Sequence, residues 1–446
     1  MNALLQDVGV RAGTYLAALD GRSVAPDREA VAGLARFAEA LPAGPTDPAE
    51  VLALLDEVGS PATVASAGGR YFGFVTGGTL PAALVAGWLA TAWDNNGGLA
   101  VMAPTNAKLE EVALRWLVDL FGLPPETAGG FVTGATMANF TALAAARHAL
   151  LQRQGWDVEA QGLFGAPELT VVVGDEVHVS VLKALSLLGL GRDRVIRVPA
   201  DDQGRMRPDA LPPLDEQSIL ITQAGNVNSG AFDPLDLLFA RAHAAGAWVH
   251  VDGAFGLWAA AAPDYAHLTA GLADADSWAT DAHKWLNTPY DGGLAFCRHP
   301  DALRNAMAAS AAYLALTENR EPFYYTPEMS RRSRGVEIWA ALRSLGRAGV
   351  ADLVTRTCRH AQRFAEGLCA AGYEVLNEVV LNQVMVAFGD DEKTRHVIEG
   401  VQQEGTCWCG GTVWHGRAAM RISVSSWATT DEDVEQSLAA IVRVAR

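Results

Sequence analysis

Lysine is scarce in this sequence: Lys108, Lys183, Lys284 and Lys393 are the four among 34 basic residues. Three of them fall on helical or polar runs and read as solvated. Lys284 stands in Asp281-Ala282-His283-Lys284-Trp285, directly after the β-rich run 277–280. An amine held in an enclosed apolar setting has its pKa lowered and can attack a carbonyl to form a Schiff base; a structural lysine beneath a tryptophan is the plainer alternative. Thirty-two residues earlier the β-run Val249-His250-Val251-Asp252 ends in an acidic residue, followed by Gly253 and Ala254. A carboxylate at a buried strand end needs a cationic partner, because an unpaired charge there is costly. A pyridinium N–H would serve, as it does where a protein makes pyridoxal phosphate an electron sink, and Ala254 is small enough for a flat ring to lie against. An aspartate capping the next helix is the competing explanation.

Two further segments share this strand-end placement. In Thr133-Gly134-Ala135-Thr136-Met137-Ala138-Asn139 a short strand turns into a helix through small and hydroxyl residues. Exposed N–H groups and the dipole at such a start bind phosphate, and the Thr136 hydroxyl adds a donor. The segment lacks the lysine of a Walker loop and the glycine spacing of a dinucleotide fingerprint. Gly174-Asp175-Glu176-Val177-His178 also closes a strand, where a histidine can stack on an aromatic cofactor or act as acid or base; singly, it is more often a hydrogen-bonded structural residue. The order phosphate turn, stacking group, acid, lysine is far more specific than any one member. Cys407-Trp408-Cys409 with His415 matches no usual zinc spacing and is read as packing, so no metal is expected.

The elements that must position these residues alternate. The runs 131–133, 169–173, 195–198, 219–222, 248–251, 277–280 and 294–297 read as strands, separated by helical patterns to about 152, near 181–188 and over 235–244. This order implies a mainly parallel sheet with helices on both faces, whose ligands sit at the carboxyl ends of the strands. Before it, residues 1–65 read as a helical arm with helices over 11–19 and 28–41, and residues 105–120 form an amphipathic helix. After it, a helix over 334–345 and the β-rich runs 373–376, 384–388 and 420–424 suggest a smaller α+β domain. The expected boundaries are therefore 1–65, 66–330 and 331–446.

Composition narrows the partners. With 34 basic against 51 acidic residues the formal charge is −17, a field that repels nucleic acids and anionic membranes. Half of the residues are hydrophobic, enough for a large core. The uncharged stretch 71–93 contains Gly73, Gly77, Gly78 and Pro81, so a buried globular segment is expected rather than a membrane span. Five cysteines and no cleavable apolar start at Met1 suggest the cytoplasm.

Taken together, these residues resemble the group II pyridoxal-phosphate-dependent decarboxylases of the fold type I aminotransferase superfamily, whose members include aromatic L-amino-acid and glutamate decarboxylases. The resemblance extends from Tyr71-Phe72-Gly73-Phe74 through Pro104, the turn at 133–139, His178, Asp252-Gly253-Ala254 and His283-Lys284-Trp285 to Met420-Arg421-Ile422-Ser423 and Thr429-Thr430-Asp431. It implies a large α/β domain with a mainly parallel seven-stranded sheet, a smaller C-terminal α+β domain and an N-terminal helical arm. It further implies that Lys284 carries pyridoxal 5'-phosphate, that Asp252 pairs with the pyridine nitrogen, and that His178 stacks on the ring opposite Ala254. Ala135, Thr136 and His283 would serve the phosphate. Arg421 would hold the substrate carboxylate, near Phe74 and Thr76, and Tyr324 or Tyr325 would return a proton. The implied assembly is a homodimer with shared sites, and the implied activity is decarboxylation of an L-amino acid to amine and CO₂. Aldehyde synthesis, carbon–carbon lysis or transamination on the same scaffold is the alternative, and a cofactor-binding protein without turnover a further one. Asp281 stands where many relatives have asparagine, Met137 replaces a frequent acidic residue, and the segment holding the tyrosine pair is short. Tyr71, Phe72, Phe74 and Trp93 suit an aromatic substrate and Arg70 an acidic one, so the substrate stays open at this point.

Overall fold

The computed structural model describes residues 1–309 and 320–446. Seven strands, β1 (Ala128–Val132), β2 (Thr170–Gly174), β3 (Ile196–Val198), β4 (Ser218–Gln223), β5 (Trp248–Asp252), β6 (Ser277–Asp281) and β7 (Gly293–Cys297), form one sheet in the order β1-β7-β6-β5-β4-β2-β3. Neighbours from β6 to β3 run parallel, while β7 is antiparallel to both β6 and β1. The inner strands are buried on both faces, β5 at every residue, as parallel strands under helical layers must be. The helix Ala135–Arg153 lies against β5, β6 and β7. Seven of its residues are alanines, and most of its positions are buried around the whole circumference, so it packs as a core helix rather than through one stripe.

The chain divides into two compact units. The sheet belongs to the unit formed by Thr79–Arg359 and Asn377–Gln383. The other unit comprises Met1–Gly78, His360–Leu376 and Val384–Arg446. It contains a four-stranded sheet in the order β10-β11-β9-β8, built from β8 (Glu374–Val375), β9 (Gln383–Ala387), β10 (Gly410–Trp414) and β11 (Arg417–Ser423). These units differ from the boundaries expected at 65 and 330. The N-terminal segment joins the C-terminal one through backbone bonds from Val24 N to Gly405 O, Phe72 N to Trp408 O and Ser423 N to Phe72 O. The helix expected over 334–345 is part of Gly335–Ala370, interrupted at Gly346, whose φ of 61° departs from helical geometry. The helix Asp391–Glu404 and strand β10 were not expected. The former shows a narrow apolar stripe, Val397, Ile398 and Val401, among charges; the latter begins with two glycines.

A buried ion pair holds the edge of the large sheet. The Arg331 guanidinium contacts Glu110 Oε1 at 2.7 Å and Oε2 at 3.1 Å, and donates to Phe131 O of β1 at 2.7 Å. Glu110 lies on the helix Pro104–Leu120 and is 1% exposed. The fork thus fixes helix, strand and the segment at 331 together, and removing Arg331 leaves the buried Glu110 charge with only the longer contact from Arg320, 3.9 Å away. Arg331→Met is expected to lower the unfolding free energy by about 3 kcal/mol, while the Arg331→Met, Glu110→Leu pair recovers part of the loss. Urea unfolding of the two variants checks this; a single substitution within 0.5 kcal/mol of wild type contradicts it.

Candidate active site

The carboxyl ends of β5 and β6 and the turn after β1 meet at one end of the large sheet. Lys284 lies in the turn after β6, where Ala282 N donates to Gly292 O (2.9 Å) at the start of the return into β7. The next residue anchors the turn: Trp285 is 1% exposed, and its indole N–H donates to Thr357 Oγ1 at 2.9 Å. Lys284 Nζ and His283 Nε2 lie 3.4 and 3.5 Å from the same oxygen of Asp281, Oδ2. The other oxygen, Oδ1, and His283 Nδ1 are buried without a hydrogen-bond partner. Burial holds the His283 imidazole below its ordinary pKa, against the pull of Asp281. His283 also stacks on Tyr290, with ring centroids 4.2 Å apart.

Facing this cluster, Ala135–Arg153 begins with no side-chain cap. The N–H groups at its start therefore remain available for an anion, and the helix dipole favours one. The approach is close: a Cβ on Gly293 would lie 2.5 Å from the Gly134 Cα. Glycine at 293 is what lets β7 touch the phosphate turn. Thr133, Gly134, Ala135, Thr136, Met137, His178, Ser180, Asp281, His283 and Lys284 line one cavity. Uncapped N–H groups, the Thr136 hydroxyl and the orphaned His283 nitrogen fit a phosphorylated group, and the Asp281 charge that would oppose it is engaged by Lys284 and His283.

Asp252 closes β5 at 4% exposure. Burial pushes its carboxyl up, opposed by His178 and Lys284, by the backbone N–H of Ala254 and by the Asn139 amide. Those opposing groups limit the rise that burial imposes. Ala254 is fixed by bonds from Asp281 N (3.0 Å) and Thr280 Oγ1 (3.3 Å) to its carbonyl. His178 caps the helix Val179–Leu187: its Nδ1 accepts from Ser180 N at 3.2 Å and lies 2.8 Å from Ser180 Oγ.

Of the residues singled out from sequence, Ala135, Thr136, His178, Asp252, Ala254, His283 and Lys284 thus come together in one unit. Tyr324 and Tyr325 belong to the same unit but line another region. Their short helix, Pro322–Tyr325, packs on β1, with Tyr324 under Arg304 and Tyr325 under Arg320. Arg304 lies on the helix Pro300–Met307 that follows β7. Phe74, Thr76 and Arg421 belong to the other unit. Phe74 is 65% exposed and stacks on Trp408 at 5.5 Å, as does Tyr71 at 5.2 Å; the tryptophan between two cysteines therefore packs against rings. Arg421 lies on β11, and burial lowers its guanidinium pKa. Sequence reasoning missed Asn139, Ser180 and His250 as parts of the site. The period-2 geometry of β5 held a signal for the last, since His250 faces the same side as Asp252.

Residues 61–388 match the family described as "Pyridoxal-dependent decarboxylase conserved domain". The chain is 24% identical over 433 residues to an aromatic-L-amino-acid decarboxylase of Bacillus atrophaeus, covering 92% of this chain and 88% of that one. It is 29% identical over 393 residues to an aromatic-L-amino-acid decarboxylase of Drosophila lebanonensis, covering 82% and 95% respectively. The crystal structure of Oryza sativa TDC with PLP and tryptamine superposes with a TM-score of 0.91 at 22% identity, over all of this chain and 97% of that one, a likeness of fold.

The contact at Gly293 supplies a test of the cavity. Gly293→Ala is expected to destabilise the protein by about 1–3 kcal/mol through overpacking and to reduce the rise in melting temperature that pyridoxal phosphate produces. Thermal melts with and without the compound measure both effects. An unchanged rise would show that the contact with Gly134 does not shape the anion site.

Proposed function

The chain belongs to the pyridoxal-dependent decarboxylases, and from that premise we propose that it releases CO₂ from an aromatic L-amino acid at the cluster around Lys284. Pyridoxal-phosphate-dependent decarboxylation of an amino acid is the chemistry of its family and of its relatives. The observation that carries the site assignment is the convergence of a half-buried lysine, a buried strand-end carboxylate and an uncapped helix start. The aromatic substrate rests on the two relatives' names and on Phe74, which keeps an exposed ring face beside Trp408.

When bound, the cofactor supplies an electron sink for the charge that departing CO₂ leaves behind. The rest falls to the chain. Lys284 Nζ would hold the cofactor's aldehyde carbon, and Asp281 Oδ2, 3.4 Å away, positions the lysine nitrogen for it. The N–H groups of Ala135 and Thr136 orient the phosphate with His283. Asp252 would pair with the cofactor's pyridine nitrogen and hold its proton, and its buried setting would strengthen that charge pairing. The imidazole of His178, fixed by its bonds to Ser180, would pack against the cofactor ring, and Ala254 is small enough to admit it. Arg421 receives the substrate carboxylate. Tyr324 or Tyr325 would return the proton, as the family resemblance implies; Tyr324 is 2% exposed and Tyr325 partly buried.

A homodimer in the cytoplasm completes the proposal. Val85, Trp88, Leu89 and Trp93 leave an exposed apolar ridge on the helix Pro81–Trp93, as an obligate interface would. The five cysteines are free thiols, as a reducing compartment keeps them. Sedimentation equilibrium is expected to return twice the 47.1 kDa chain mass; a monomer at working concentration would refute the shared site.

Lys284→Ala is expected to abolish both the borohydride-reducible yellow chromophore and CO₂ release, with amine rather than aldehyde and hydrogen peroxide as the wild-type product. Arg421→Met should raise KM about tenfold or more with kcat largely spared, the mark of lost substrate binding. A chromophore that survives in Lys284→Ala refutes the lysine assignment, and an unchanged KM refutes that of Arg421.

A further inference from the structure

Behind the site lies a buried histidine that none of the roles above uses. His250 is fully buried on β5, two residues before Asp252, and its Nδ1 lies 2.9 Å from Ser277 Oγ on β6 while its Nε2 lies 2.8 Å from Asn139 Oδ1. Trp248 Nε1 donates to the same Ser277 oxygen at 2.9 Å. The Asn139 amide nitrogen in turn reaches Asp252 and, at 3.5 Å, Ser180 Oγ, which is bonded to His178 Nδ1.

The direction of every bond in this network follows from what each group can do. An indole N–H only donates, so Ser277 accepts from Trp248. A carboxylate only accepts, so the Asn139 side chain must turn its NH₂ toward Asp252 and its oxygen toward His250. That oxygen cannot donate, so the proton of His250 is on Nε2. A neutral ring then leaves Nδ1 bare to accept from the Ser277 hydroxyl, and burial, which pushes the His250 pKa down to about 3, keeps the ring neutral. His178 Nδ1 accepts from a backbone N–H and is bare as well, which puts its proton on Nε2.

We propose that Ser277, His250 and Asn139 are positioning residues that form a one-directional donor relay, with Asn139 as the branch that orients the Asp252 carboxylate and, through Ser180, the His178 ring. The proposal rests on the reading of Asp252 and His178 given above, which it deepens. The relay begins at Trp248, where the only function is to donate, and ends at two acceptors facing the cofactor. Register fixes its geometry: His250 is paired with Ser277 and Asp252 with Ala279 in adjacent parallel strands. Asn139, fully buried on the helix crossing them, bridges the second gap. A network of this kind supplies a carboxylate with a donor that does not move when the cofactor leaves, so the site is ordered before it is loaded.

The relay is read without turnover. In the cofactor-free wild-type protein labelled with ¹⁵N-histidine, and assigned by comparison with His250→Gln and His178→Gln, both rings are expected to carry their proton on Nε2, with His250 neutral from about pH 5 to about pH 8. His250 protonated on Nδ1 reverses the Ser277–His250 and His250–Asn139 bonds and overturns the proposal, whatever the substituted proteins do. Asn139→Asp keeps the shape but loses the donor and sets a second carboxylate beside Asp252. It is expected to weaken pyridoxal phosphate binding, measured by equilibrium dialysis, about ten- to hundredfold and to shift the His178 nitrogen signals, with a melting temperature still that of a folded protein. A merely structural Asn139 would alter stability and leave affinity and His178 signals unchanged, which also overturns the proposal. Failure of the Lys284 assignment would appear separately, as a chromophore surviving Lys284→Ala with these nitrogen signals intact.

Discussion

A carboxylate at the end of a fully buried strand is the constraint around which this molecule is arranged. Left alone, Asp252 would take up a proton to escape the low dielectric around it. The structure surrounds it instead with an amide, a backbone N–H, an imidazole and an ammonium group, each from a different element: the helix after β1, the turn after β5, the turn after β2 and the turn after β6. Parallel strands deliver this convergence at little cost, because their carboxyl ends lie side by side and each must turn there. The charge proposed to meet the cofactor is therefore also the charge that makes these turns depend on one another.

Much of this was legible in the sequence because strand-end chemistry is local. A run of β-branched and apolar residues followed by a polar residue and small ones marks both the strand and its functional end, and β4, β5 and β6 fall within one or two residues of where such runs place them. The contribution of Asn139 was hidden because its meaning depends on two residues of one strand, β5, more than one hundred residues away. His250 was hidden for the opposite reason. In a β-run it passes for packing, and its role shows only once the β5–β6 register brings Ser277 beside it.

The organisation of the chain was less legible than its site. The N-terminal segment shows no strand pattern, and backbone bonds to residues 405–423 leave no trace in its own periodicity. Likewise, Gly346 reads as a helix end, whereas the helical path resumes beyond it. The segment at 322–325 looks like a polar connection because its prolines and tyrosines carry no period. Its seat on β1 depends on Gly130, where a Cβ would meet the Tyr325 carbonyl oxygen at 2.1 Å.

The antiparallel course of β7 has a consequence for how Lys284 reaches its place. Parallel partners need a long crossover, and 24 residues separate β5 from β6, whereas only 11 separate β6 from β7. The lysine therefore rides on the most local closure in the sheet, which carries a small loop entropy and lowers the contact order of its surroundings. Insertions in the longer crossovers leave that hairpin untouched, so Lys284 is insulated from much of the length variation that the rest of the scaffold can absorb.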